Sequence, residues 1–316
     1  MKNRKSAKAA VVLTALVFVG SVFAGAAPAG EKYQEKFDKT EALAKDGKVI
    51  INNISGGVVV KSWDKAEVQI AARKVCDVGS AARAKENFAK VTIEVTKSGN
   101  IVQIDTKYPE RARNINVSVH YELTIPDKAS LKVKNVSGSV EAAVIGGAFE
   151  GNVTSGSVTL SQMGGTVDCR NVSGRIELQD GAGEIDLKTV SGNIRAVRVK
   201  GSVDAETTSG RVELSDISEA KNVRVKVLSG GISYDGTMAP GARFNFETLS
   251  GGVRVTLPAD AGFELDAEAF SGRVNSEFPV TMQGTISPKE LRGIVNNGGA
   301  NLRVKSFSGS IEIRKK

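Results

Sequence analysis

The sequence predicts an all-β fold: a right-handed parallel β-solenoid, or β-helix, of ~18–21-residue rungs, preceded by a β-rich cap region with one short helix. Three observations carry that expectation. Glycine stands at 138, 147, 156, 165, 174, 183, 192, 201 and 210, nine residues apart at every step. Alternate members follow a serine, at Ser137, Ser155, Ser173, Ser191 and Ser209, so the full repeat is eighteen residues. The second residue after each glycine is apolar (Val140, Phe149, Val158, Val167, Ile176, Ile185, Ile194, Val203, Val212), and the fourth is apolar or small. Positions two apart share a strand face, so each nine-residue unit is one short strand and one glycine turn, and two units close a rung.

One rung cannot bury its inward row alone. Stacking at about 4.8 Å sets Ile176 between Val158 and Ile194, and Leu178 over Leu160, which makes the core continuous. Glycine recurs because the turn needs a positive φ or a close backbone approach, and the serine hydroxyl before it can bond the turn backbone. Parallel strands within a face imply the right-handed coil.

Along the chain, residues 1–29 read as a signal peptide. Lys2, Arg4, Lys5 and Lys8 precede an apolar run from Ala9 to Phe23, and cleavage is expected after Ala24, Ala26 or Ala29. An uncleaved anchor is the alternative, although the run is shorter than the ~20 residues a spanning helix needs. No cysteine follows the run to carry a lipid. Once cleaved, the chain has no segment to insert in a membrane.

Residues 30–126 form the cap region. Glu31 to Lys45 is charged and without period, a leader or a loose first helix. Asn53 to Asp64 holds an early Ser-Gly turn and an expected first rung, and Glu67 to Val75 alternates as a strand. Ser80 caps a helix through Lys90, with Ala81, Ala84, Phe88 and Val91 on one face; it is expected to cap the solenoid's open edges. A hairpin turns at Ser98-Gly99-Asn100, and Val117 to Ile125 alternates up to Pro126.

The array occupies 127–316. Beyond Gly210 the Ser-Gly steps widen to 20, 21, 21 and 37 residues. The last gap contains Ser287-Pro288-Lys289-Glu290, which predicts a short helical turn. Nine rungs are expected from Asn135 onward.

Several of these segments form a recognisable set. An N-x-S-G-G-V-V-V-x-x-W-D stretch (Asn53 to Asp64) is followed by a strand ending in Ile125-Pro126 and repeated V-S-G turns. L-S-G-G-V-x-V-x-L-P (Leu249 to Pro258) and a final S-G-S-I-E-I (Ser308 to Ile313) complete it. Over nearly all of the mature length, the chain resembles the bacterial putative-adhesin domains of unknown function, relatives of adhesin-like head domains on envelope proteins. That resemblance implies export, a β-solenoid and a role at the cell envelope, sometimes associated with envelope stress. It brings no catalytic residues, because each motif position is a turn or a core residue.

The chemistry-bearing residues are few. His120 is the only histidine, which excludes a histidine-dependent triad or a multi-histidine metal site within one chain; its alternation places it on a polar strand face. Gly181-Ala182-Gly183 opens no helix and is no phosphate loop. Cys76 and Cys169 could pair after export, but Cys169 falls on the inward row, where a thiol acts as a small apolar filler. Glu150, Asp168, Asp186 and Asp204 form an outward acidic ladder, with Arg170 and Lys188 placed to bridge neighbouring rungs. The ladder reads as a salt-bridged face; a calcium edge is the sharper alternative, but calcium rolls carry Asp in their turns rather than mid-strand. No metal or cofactor is expected.

Arg175, Asn193 and Arg211 follow successive Ser-Gly turns, and Arg273 holds the equivalent place later. They are the candidate ligand-binding residues, with ordinary surface polarity as the plainer reading. The net charge of +8 falls to +4 without the four basic signal residues, too little for a nucleic-acid partner. The expected function is an exported, non-enzymatic structural or binding module in the periplasm or at the cell surface, contacting an envelope polymer or a surface protein. The alternative is a carbohydrate-active β-helix enzyme, which would need a cleft of paired carboxylates.

Overall fold

Each Ser-Gly step is the corner between two strands, and the corners lie directly above one another. The computed structural model describes residues 32–109, 115–282 and 287–316; the expected signal peptide, 1–29, lies outside them. Strands β1 (Lys32–Ala42), β2 (Lys48–Ser55), β3 (Val58–Trp63) and β4 (Glu67–Asp77) come first. Helix α1 (Ala81–Lys90), β5 (Thr92–Ser98), β6 (Ile101–Lys107) and β7 (Val117–Pro126) follow. The regular run is β8 (Ser130–Ser137), β9 (Val140–Ile145), β10 (Phe149–Ser155), β11 (Val158–Met163), β12 (Val167–Ser173) and β13 (Ile176–Ala182). It continues through β14 (Ile185–Ser191), β15 (Ile194–Lys200), β16 (Val203–Ser209), β17 (Val212–Ser218), β18 (Asn222–Ser229) and β19 (Ile232–Gly236). The last strands are β20 (Arg243–Ser250), β21 (Val253–Leu257), β22 (Phe263–Ser271), β23 (Val274–Ser276), β24 (Val280–Met282), β25 (Glu290–Val295), β26 (Ala300–Ser308) and β27 (Ile311–Lys315).

These strands form two long sheets. One runs β1-β4-β7-β3-β9-β11-β13-β15-β17-β19-β21-β27-β23. The other runs β24-β25-β22-β26-β20-β18-β16-β14-β12-β10-β8-β2-β6-β5. Between β6/β7 and β22/β23 each level gives one parallel strand to each sheet, eleven levels in all, nine of them from β8/β9 onward as expected. The molecule is a β-solenoid. Ile176 pairs with Val158 below and Ile194 above, and Leu178 with Leu160, in the predicted register. Where rungs lengthen past Gly210 the interior takes aromatic rings: Tyr234 lies 5.5 Å from Phe244 and 5.3 Å from Phe246.

The levels do not follow chain order at either end. The rung β2/β3 stacks directly beneath β8/β9, so the expected first rung in 53–64 is there. However, β6/β7, later in sequence, lies outside it. At the other end the final rung, β26/β27, inserts between β20/β21 and β22/β23. The 37-residue gap is spent on β24 and β25, which run antiparallel and cover β22.

Three local expectations are corrected. The segment from Lys32 is no helix but β1, an edge strand on β4 whose alternating charges leave little for another chain to pair with. Ser287 to Glu290 is no helical turn; Ser287 and Glu290 form an antiparallel bridge that leads into β25, because β22 needs a strand partner there. Helix α1 does form, with Ser80 accepting from the Arg83 amide and Ala84, Phe88 and Val91 buried. It lies against β4 and β1 rather than across open edges, which antiparallel strands already cover. Lys74 ties it down, reaching Glu35 at 2.8 Å and the Phe88 carbonyl at 3.1 Å.

The two edges of the rod differ. On the edge away from the Ser-Gly corners, Val144, Gln162, Asp180, Arg198 and Asp216 each adopt φ between 54° and 59°, one per level. That edge is polar: Arg198 makes a two-pronged contact with Asp180 at 2.6 and 3.0 Å, and Lys316 joins Asp216 and Asp235.

Candidate functional site

The Ser-Gly edge is built from the inside outward. The glycine carbonyls of the corners lie between rungs, and at seven of the ten levels the inward side chain three residues before the glycine is Asn, Thr or Ser, with Val153, Val227 and Ala269 at the other three. Asn171 donates to the Gly156 carbonyl at 2.8 Å, Thr207 to Gly192 at 3.1 Å, Thr248 to Gly230 at 3.1 Å and Ser306 to Gly251 at 3.1 Å. Asn135 reaches both Gly56 and Gly138. These Asn, Thr and Ser side chains are buried, so an internal polar ladder fixes the corners. The expected role of the corner serines is thereby corrected. Ser137, Ser155, Ser173, Ser191 and Ser209 stand exposed, and it is their backbone carbonyls that accept, each from the glycine amide of an adjacent level.

Three outward columns result. The residue before each corner serine is exposed, and at eight levels it is Ile, Val, Leu or Phe, with Thr154 and Thr208 at the other two. In spatial order this column starts at Ile54 and Val136 and ends at Leu228, Leu249, Phe307 and Phe270, the two rings stacked at 4.7 Å. The serines form the second column. The third, one residue past the glycines, contains the predicted site residues.

That third column is locked in register by backbone bonds from Val158 to Arg175, Ile176 to Asn193, Ile194 to Arg211, and finally Ile311 to Arg273. Arg175, Asn193 and Arg211 therefore occupy three consecutive levels. Gly231, Gly252 and Ser310 separate Arg211 from Arg273, a distance of about 19 Å at the strand spacing. Both middle arginines touch acidic neighbours on their own strands, Arg175 to Glu177 at 3.1 Å and Arg211 to Glu213 at 3.6 Å. Asn193 accepts the Arg211 amide at 2.9 Å. All four side chains are exposed. His120 heads the same column: its Nδ1 accepts the Gly57 amide at 3.2 Å. Burial, then Arg73 and Lys32, holds its pKa below the usual histidine value.

The acidic ladder lies on the flat face of the β10–β16 sheet. Glu150, Asp168, Asp186 and Asp204 pair level to level, as the spacing requires. Their cations come from different places than expected. Arg170 and Lys188 bond Asp168 and Asp186 on their own strands, at 3.2 and 2.6 Å, instead of bridging rungs. Lys132 serves Glu150, lowering its carboxyl pKa, and Arg224 serves Asp204 at 3.4 Å. A shallow depression over Asp168, Asp186 and Asp204 is thus lined by carboxylates that already have cations. Among the described residues no group of three or more metal-ligating side chains converges. Millimolar calcium is expected to move the melting temperature by less than about 2 °C; a saturable, calcium-specific rise of many degrees would reassign Asp168, Asp186 and Asp204 as ligands.

Cys76 and Cys169 are both free and buried. Burial pushes the Cys169 thiol up to about 12, the behaviour of a core filler rather than a nucleophile. The sequence reading missed the apolar column and the internal polar ladder. Both were written in the repeated N-V-S-G and T-V-S-G steps, whose first residue points in and whose second points out.

Residues 47–314 match the model of the Toastrack DUF4097 family. The chain belongs to that family. No curated protein matches it. Similar solved structures include a putative cell adhesion protein of Clostridium sporogenes, 14% identical, covering 89% of this chain and 100% of that one with a TM-score of 0.23. A putative adhesin of Bacteroides fragilis is 11% identical over 88% of this chain and 96% of that one, with a TM-score of 0.40. One of Parabacteroides distasonis is 10% identical over the same shares, with a TM-score of 0.33. No described helix of the Toastrack chain is long and apolar enough to cross a membrane.

Proposed function

We propose that this Toastrack protein is an exported, non-enzymatic binding module of the bacterial cell envelope, and that its Ser-Gly edge holds an extended anionic envelope polymer or a surface protein. The observation that supports this reading is the third column, in which Arg175, Asn193 and Arg211 stand one above another at the strand spacing with Arg273 on the same line. A rod that repeats one position every ~5 Å suits a partner that also repeats. Guanidinium groups engage phosphate or carboxylate through paired donors, and several weak contacts along one line multiply. The neighbouring Glu177 and Glu213 keep each contact weak and salt-sensitive.

Co-sedimentation with purified envelope fractions tests the reading. The Arg175→Ser/Arg211→Ser/Arg273→Ser variant is expected to bind at least roughly tenfold more weakly than the parent at low salt, and the parent to release as salt rises. All three arginines are exposed, so the variant should remain folded. Undiminished binding would remove this column from consideration, and shortening of the polymer would replace the reading with the carbohydrate-active enzyme.

A further inference from the structure

Arginine is the minor component of the Ser-Gly edge. Of the ten exposed large hydrophobic side chains among the described residues, eight belong to the single column that precedes the corner serines. Their exposure runs from 42% at Ile54 to 64% at Phe270. Ten levels make this ridge about 43 Å long. Its eight apolar side chains present on the order of 750 Å² to solvent, close to the ~800 Å² that each partner buries in a standard-size protein interface.

We propose that two copies of this chain pack their apolar columns together, side by side and antiparallel, as a two-fold dimer. Four observations point to a second copy as the occupant. The area is that of a stable pair and not of a small-ligand groove. Side chains spaced at one strand interval along ten levels interleave best with a comb of the same interval, and this chain carries one. Association through the rod ends is discouraged, since the four edge strands are β1, charged along its length, β5, which carries Glu94 and Lys97, and β23 and β24, three residues each, which leaves the flank. Finally, the ridge tapers, tall at Phe270 and Phe307 and lower at Val136 and Thr154. A parallel pair would set ring against ring at one end and splay the rods. The antiparallel pair places Phe270 against Ile54 and closes on a dyad between Val190 and Thr208, the self-complementary arrangement of most homodimers. Arg175 and Arg211 then fall on the polar rim beside an apolar centre. This inference does not depend on polymer binding.

Sedimentation velocity on the purified protein, as processed by the cell, decides it. The parent is expected to run at twice the chain mass at micromolar concentration. The Val172→Thr/Val190→Thr/Leu228→Thr/Leu249→Thr variant should run at the single-chain mass, its dimer dissociation constant raised at least 100-fold. Threonine already occupies this column at Thr154 and Thr208, so a melting temperature near that of the parent is expected and is measured alongside. Orientation is read by mixing Ser55→Cys and Ser271→Cys proteins under mild oxidation. The antiparallel pair yields the mixed crosslink, and both native cysteines are buried away from the reaction. A parent that stays monomeric to about 100 µM, a variant that dimerises as well as the parent, or Ser55→Cys crosslinking chiefly to itself would overturn the proposal. A monomeric parent that floats with phosphatidylglycerol vesicles would also overturn it and assign the ridge to lipid. The variant keeps every arginine, so loss of dimer and loss of envelope binding are separate results.

Discussion

Ile176→Asp is expected to destabilise the protein by roughly 3–5 kcal/mol, while Glu177→Ser, one residue along, costs under ~1 kcal/mol. The two positions differ only in which way the strand turns them. Ile176 is fully buried between Val158 and Ile194, in a column of apolar side chains where a carboxylate finds no cation and no donor. Ionised, it loses its hydration uncompensated; protonated, it still leaves polar atoms without partners. Glu177 points out of the same strand into water and holds only Arg175, itself mostly exposed, so its removal forfeits a surface ion pair. Denaturant unfolding of both variants and the parent measures the difference as a shift in midpoint at constant slope. A solenoid of near-identical rungs can also open locally, so a broadened transition for Ile176→Asp with a lower slope would carry the same meaning. Equal shifts for the two variants would break the inward/outward register on which both proposed edges depend.

The regular part of the rod was legible because its physics repeats. Inward rows, the corner glycines and the eighteen-residue register follow from side chains two apart and from Gly138 to Gly210. The ends were not legible, and for a definite reason. A V-S-G corner is the same chemistry at every level, so nothing in Phe307-Ser308-Gly309 distinguishes a last rung from one that slips in beneath Phe270-Ser271-Gly272. The same ambiguity hides β6/β7 outside β2/β3. Edge strands escaped for the opposite reason: β1 pairs on one side only, so its burial is partial and its charges erase the alternation. The left-handed residues of the polar edge carry no mark in their side chains, since Val144, Gln162, Asp180, Arg198 and Asp216 keep the eighteen-residue step and a backbone angle but no common residue type. At the candidate site, the arginine column could be placed from sequence, but Glu177 and Glu213 as its close partners required the strand geometry. The apolar column went unread because a valine in a strand-forming repeat is taken for core until its neighbour is seen to point inward.

Gly174→Ala is the second change with a large expected effect, above ~3 kcal/mol, and it separates the two costs a corner imposes. Gly174 adopts φ of +135°, where a side chain is strained, and an added Cβ would stand 2.2 Å from the Gly156 carbonyl oxygen of the level below. That oxygen cannot retreat, because Asn171 holds it at 2.8 Å and the backbone ladder fixes it from both sides. Relief would require the two rungs to separate, which breaks the bond from the Gly156 amide to the Ser173 carbonyl and the packing of Ile176 on Val158 together. Gly183 supplies the comparison. Its φ is also positive, at +92°, but the nearest atom to an added Cβ is 4.0 Å away, so Gly183→Ala should show conformational strain alone, on the order of 1–2 kcal/mol. Gly79 has no positive φ and nothing within 4 Å, and there alanine should be neutral or stabilising by up to ~1 kcal/mol through the unfolded chain. Thermal melts of the three variants should therefore rank Gly174 well below Gly183, and Gly183 below Gly79. If Gly174→Ala and Gly183→Ala melted together, close contact between levels would not be what demands glycine at the Ser-Gly corner, and backbone angle alone would account for the repeat.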